Sequence, residues 1–270
     1  MVEIIEVKTR KQKRLFTNYP LELYKDCPYY VPPLYSEEKN ILNPKKNFNL
    51  ANCDVRCFLA YKEGKLVGRV AAVVHNQYNR MWNKKDIRFS RFDAVDDLEV
   101  FDALLKTVER CGRERGLERI HGPWGFNDTD REGMLTYGFS ERSTYSTNYY
   151  YPYFAENMRK LGYADESKWV ERGFTIPERP YERILRIASK LQKRLNVVDV
   201  AETMPIKQIV KKYGAAFFDT YNEAYSGLDG FTPIGKKAQK NVLRSFATVI
   251  NTRYFSCLIN EKGECAGFAV

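Results

Sequence analysis

Apolar and polar residues alternate over residues 1–7, the period-two pattern of a strand. The spacing then lengthens. Across 9–24, Leu15, Phe16, Tyr19 and Leu23 fall near one face of a helix, and Pro20 is expected to break or reset it. Residues 29–34 (YYVPPL) read as an extended turn. Ser36 followed by two glutamates starts a helix over 36–42. Residues 54–61 and 66–75 are apolar and β-branched around Lys62-Glu63-Gly64-Lys65, which is a hairpin signal. Alternation returns over 86–95. Residues 97–115 carry the clearest helical pattern: Leu98, Phe101, Leu104, Leu105, Val108 and Cys111 recur at spacings of three and four. Acids at its start and arginines at its end complement the helix dipole, and Gly116 is a natural stop.

A short strand at 117–121, an aromatic extended stretch at 149–153, a helix over 154–161 and a strand over 169–176 complete the first part. Hairpins first and a single helical crossover later predict an α+β fold with a mixed, mostly antiparallel sheet flanked by helices. A doubly wound nucleotide-binding fold would alternate strand and helix throughout, and this chain does not.

The pattern then begins again. A strand at 195–201 is followed by a helix at 205–225, a turn at 230–234, a helix at 236–250 and a hairpin of 254–259 with 264–270. The two hairpins align: FLAYKEGKLVGRVA sets Gly64 and Gly68 over Gly263 and Gly267 of CLINEKGECAGFAV. Upstream, Pro33-Leu34 matches Pro233-Ile234, and Asn40-Ile41-Leu42 matches Asn241-Val242-Leu243. One order at nearly one offset argues for an internal repeat, with a first domain over 1–180 and a second over 181–270. The second copy stops after its third strand. Such a half-sheet leaves an open edge. The chain is therefore expected to be a fragment of a longer protein, or to have that edge covered by the first domain or by a partner chain.

Composition adds limits. At 270 residues and 44% hydrophobic content the chain can bury a sizeable core, and no apolar run is long enough to span a bilayer. With no visible export signal, a cytoplasmic protein without membrane contact is expected. The six cysteines are scattered and only two histidines accompany them, which argues against a structural zinc site. The net charge of +10 suits anionic cofactors or nucleic acid. The positive charge is spread rather than gathered into a tail, so a basic nucleic-acid-binding protein is the lesser alternative.

The order of elements resembles the GNAT acyltransferase superfamily. The run from Phe92 to Phe139 narrows the likeness to paired-domain bacterial GNAT-like proteins, through its Asp-rich turn, long helix, Gly122-Pro123, Gly125-Phe126, Gly133-Met134-Leu135 and Gly138-Phe139. Tyrosine-rich residues 149–154 and the helix end at 158–163 continue it. The resemblance implies an N-acyltransferase using acetyl-CoA or another acyl-CoA, and a small-molecule or peptide amine as acceptor; a homodimer is also expected. It implies a fourth strand splayed from the fifth, with pantetheine bonded to the main chain of that strand and pyrophosphate on the next helix. On this chain those positions are Phe92, Ala94, Val95, Asp97 and Leu98, and Asn127 follows the fifth strand, beside Asp128, where the superfamily places a cofactor contact.

For catalysis, Asp93 sits where a base could deprotonate the amine. The family's acid is a helix tyrosine; that slot holds Met158 here, and Tyr151 and Tyr153 are the nearby substitutes. The phosphate loop also departs from the family pattern, since residues 95–99 hold three carboxylates and no glycine. This sets up the alternative of a first copy that serves as scaffold or substrate-binding module without acetyl-CoA.

Overall fold

A computed structural model describes residues 1–127, 130–228 and 230–269, in two compact units, Met1–Glu166 and Ser167–Val270. Unit 1 is a mixed, mostly antiparallel sheet flanked by helices. Its strands β1 (Val2–Glu6), β2 (Cys53–Lys62), β3 (Lys65–His75), β4 (Asp86–Ala94) and β5 (Arg119–His121) lie in the order β1-β2-β3-β4-β5. The first three pairings are antiparallel, and β4 with β5 is parallel. Helices α1 (Arg10–Leu23), α2 (Tyr35–Glu38), α3 (Asn76–Met81), α4 (Leu98–Arg113) and α5 (Tyr153–Lys160) complete it. The α2 helix covers only the front of the stretch expected from Ser36.

The long helix forms where its pattern predicts. Asp97 caps α4 by accepting from the Glu99 N–H, and Val100, Phe101, Leu104, Leu105, Val108 and Cys111 are buried. Fully burying a Phe101 or Leu104 side chain contributes about 1.5–3 kcal/mol. The helix lies close on the sheet at Gly112, where an added Cβ would stand 2.9 Å from Ile87 Cγ2.

Pro20 corrects the expected helix break: it lies inside an unbroken α1. The missing proline N–H leaves the Phe16 carbonyl without its helical donor. The buried Arg69 guanidinium supplies one instead, with Nη1 2.7 Å from that oxygen. The cost of an interior proline is thus offset by a side chain from β3.

The decisive feature is how briefly β4 and β5 pair. Asp86, Ile87 and Arg88 face Arg119, Ile120 and His121, and there the ladder ends. Beyond it, Gly122 turns the chain at φ +149, where a Cβ would meet the Phe89 carbonyl at 2.3 Å. The Trp124 N–H donates to that carbonyl at 2.9 Å. Residues 90–94 of β4 continue without β5. β5 stops at His121, and the start of α4 follows from the part of β4 that runs on beyond it.

Unit 2 holds α6 (Glu182–Leu195), β6 (Val197–Asp199), α7 (Ile206–Tyr225), α8 (Lys236–Val249), β7 (Ser256–Asn260) and β8 (Cys265–Ala269), with its sheet ordered β6-β7-β8. Strand, helix, helix and hairpin repeat the order of β1 to β3. The likeness extends to a defect. In unit 1 the register passes from Tyr61↔Leu66 to Ala60↔Gly68, bulging Val67. In unit 2 it passes from Ile259↔Cys265 to Leu258↔Gly267, bulging Ala266, the matching position. Gly64 and Gly263 turn the two hairpins at φ +73 and +80.

Residues 169–176 form no strand, correcting that expectation. Trp169 and Phe174 are 76% and 85% exposed, so their apolar pattern has no sheet to enter. Residues 149–152 are irregular, and α5 begins at Tyr153. The strand expected at 195–201 shortens to β6 and closes in a 3-10 turn at Val200–Glu202.

Candidate functional site

Residues of β4 first alternate, with Ile87 and Phe89 in the core beneath α4 and Arg88 and Ser90 on the opposite face. The alternation then slips. Arg91, at φ +46, is an extra residue in the pairing with β3, and beyond it Phe92 and Ala94 take the α4 side. The bulge leaves Arg91 and Asp93 on the face that carries Arg69.

Five charges meet there. Asp93 Oδ2 accepts from Arg69 Nε at 2.7 Å; Glu38 lies 3.2 Å from Arg91 and 3.8 Å from Arg69; Arg91 also lies 3.4 Å from Asp130. Arg69, Glu38 and Asp93 are buried. Burial alone would raise the Glu38 pKa, but Arg91 and Arg69 outweigh it and hold the carboxyl below its ordinary value. Such a cluster persists because each member is matched; removing one partner would strand a buried charge.

Tyrosines surround Asp93. The Tyr24 hydroxyl donates to Asp93 Oδ1 at 3.2 Å. Its ring stacks on Tyr30 at 4.4 Å and neighbours Tyr151 at 5.2 Å and Tyr149 at 5.9 Å. Burial pushes the Tyr19, Tyr24, Tyr30 and Tyr150 phenols up, and the Asp93 charge adds to this. They stay protonated, as donors with apolar faces.

The proposed cofactor positions are arranged differently. Phe92 is buried against Phe89, Phe101 and Phe154. The Ala94 carbonyl, at the end of β4, accepts from the Tyr153 hydroxyl at 2.8 Å, and the Val95 N–H donates to the Val67 carbonyl at 3.0 Å. Tyr153 also stacks on Tyr151 at 5.7 Å. At the start of α4, Asp97 uses its own carboxylate as the cap, and Lys62 bridges Asp97 and Glu99 at 2.5 and 2.8 Å. Asp96 accepts from Asn157 at 2.9 Å, and Leu98 is exposed.

A pyrophosphate needs free N–H groups and no competing anion. Three carboxylates at this helix start, one of them already the cap, do not fit it.

Asn127 donates to Asn49 at 3.2 Å on the loop after β5; Asp128 lies outside the described residues. Arg88 is buried between Trp124 and Tyr78, 3.6 and 4.5 Å from their ring centres, and donates to the Gly125 carbonyl. Burial brings its pKa down to about 10.

Of the sequence candidates, the structure groups Asp93, Tyr151 and Tyr153 about one strand end, and leaves Asn127 on a separate loop. Arg69, Glu38, Arg91 and Tyr24 were not anticipated. One signal was available: arginines inside apolar strands, in VGRVAAVV and IRFSRFDAV, must find buried partners.

No protein-family model matches the chain. It is 30% identical over 150 residues to protein YghO of Escherichia coli (strain K12), covering 56% of this chain and 38% of that protein. It is 27% identical over its whole length to the bacterial ceramide synthase of Caulobacter vibrioides, covering 69% of that protein. The aligned stretches thus span little over a third of the one and about two thirds of the other. Among solved structures, a tandem GNAT protein from the clavulanic acid biosynthesis pathway matches 99% of this chain and 73% of its own, at TM-score 0.51 and 10% identity. With its antiparallel strands closed by one parallel pairing and its repeated hairpin, the chain has the GNAT fold, in the form found in tandem GNAT proteins.

Proposed function

We propose that this chain is part of an N-acyltransferase that forms an amide on a lipophilic amine, and that unit 1 binds the amine rather than coenzyme A. The observation that carries this reading is Asp93. It is a buried carboxylate ringed by tyrosines at the end of β4, beside a helix start closed by its own acids. The relative named a ceramide synthase aligns along the whole chain, and a ceramide is the N-acyl derivative of a long-chain amino alcohol. A protonated amine suits Asp93, which it would reach by displacing the Tyr24 hydroxyl. Tyr24, Tyr30 and Tyr151 would wall its carbon chain, and their phenols would serve its hydroxyls. The acyl donor, an acyl thioester such as an acyl-CoA, would be held outside unit 1.

The test is steady-state kinetics of the full protein, following thiol release from a long-chain acyl-CoA against a series of primary amines. Tyr24→Phe and Asp93→Asn should each raise the KM for the amine, the latter by about tenfold or more, equivalent to about 1.4 kcal/mol. The KM for the thioester should stay unchanged. A rise in the thioester KM alone would overturn the assignment.

A further inference from the structure

Helix α6 is the most exposed of the long helices of unit 2: α8 sets Val242, Leu243 and Phe246 partly buried against the core. α7 buries Ile209, Phe217, Phe218 and Tyr221, while α6 buries nothing. Its composition does not explain this. Ile184, Ile187, Leu191 and Leu195 recur three and four residues apart, which gathers them on one face with Leu185 at its side, and all five are 46–61% exposed. Arg183, Arg186, Lys190, Lys193 and Arg194 follow the same spacing on a neighbouring stripe, with Glu182 the one acid, in the first turn. The segment before it adds Trp169, Val170, Phe174, Ile176 and Tyr181, all more than two-thirds exposed. A continuous stretch of unit 2 thus presents aliphatic and aromatic side chains edged by cations.

We infer that α6, with the aromatic residues preceding it, lies on an anionic lipid surface. Its fourteen residues extend about 21 Å, too short to cross a hydrocarbon core of about 30 Å. No described helix of this chain is long and apolar enough to cross a membrane, so contact would be from the side. One-sided positive charge beside an apolar face is the pattern that seats a helix in the headgroup boundary: the apolar face enters, and the cations meet lipid phosphates. Trp169 and Tyr181 are the amphipathic aromatics that favour that depth. Charge decides among occupants. A second copy would bring an equally basic stripe against this one, whereas an anionic membrane neutralises it. The inference is independent of where the amine binds in unit 1.

The test is co-flotation of the full chain with vesicles of phosphatidylcholine alone and of phosphatidylcholine mixed with phosphatidylglycerol. Binding is expected only to the mixed vesicles and should weaken as salt rises. Ile187→Asp with Leu191→Asp should abolish it. Lys190→Glu with Lys193→Glu, which leaves the apolar face intact, should weaken it by at least about fivefold per cation removed. Leu228→Asp, an exposed leucine elsewhere in unit 2, should leave it unchanged. Because α6 buries nothing, all variants should keep the parent's circular dichroism and urea midpoint. The inference is overturned by flotation indifferent to anionic lipid, by flotation that survives both pairs of substitutions, or by no flotation. It is equally overturned by a concentration-dependent dimer that the Ile187 and Leu191 changes dissociate.

Discussion

Arg69 shows how one side chain ties local chemistry to the site. It supplies the donor that Pro20 withholds from Phe16, and it holds Asp93 at the end of β4. The sequence displays an arginine in an apolar strand and a proline in a helix as two separate violations. Only the fold reveals that each offsets the other. The two histidines carry a second residue-level consequence. Burial, with the Arg88 charge adding to it, brings both imidazoles down to about pKa 4, even though Asp86 lies 3.9 Å from His121 and pulls the other way. The unfolded chain, with ordinary imidazoles near 6.5, therefore takes up protons first as the pH falls. The stability due to neutral imidazoles is complete above about pH 6.5 and is lost progressively toward pH 4, on the order of 2–3 kcal/mol for each. Urea unfolding between pH 7 and 5 should show the decline. His75→Asn with His121→Asn should flatten it, and an unchanged slope in that variant would refute the assignment.

At the scale of elements, the repeated hairpin offers an internal comparison. Gly68 and Gly267 occupy matching positions after matching bulges. A Cβ on Gly68 would stand 2.9 Å from Leu104 Cδ1 and 3.2 Å from the Asp93 carbonyl, whereas one on Gly267 meets nothing within 4 Å. Gly68→Ala should therefore destabilise by roughly 1–3 kcal/mol through overpacking under α4. Gly267→Ala should stay within about 0.5 kcal/mol of the parent. Equal effects in urea unfolding would show that the two hairpins are covered alike. Most elements were legible because burial on one face writes a period into the sequence: α4, α7, β2 and β3 fall within a few residues of their patterns. Residues 169–176 were misread for the same reason. Their apolar alternation mimics a strand, yet no neighbour supplies hydrogen bonds. The bulge at Arg91 was invisible, because one extra residue leaves alternation intact on either side and only reverses its sense.

At the scale of the molecule, the mixed sheet and the repeat were readable from the sequence, since topology follows from the order of hairpin and crossover. The candidate site was only partly readable. Asp93 and the tyrosines were found as residues. That they converge, and that the Ala94 carbonyl and the start of α4 are already engaged, depends on contacts between segments far apart in the chain. The chain has the GNAT fold, but the start of α4, where the resemblance would seat a pyrophosphate, carries carboxylates. Calorimetric titration of desulfo-CoA into the 270-residue chain tests this most directly. No saturable heat from the start of α4 is predicted at micromolar protein and ligand, because Asp96, Asp97 and Glu99 repel the phosphates. Saturable micromolar binding that Asp97→Lys, at the start of α4, tightens would contradict the account.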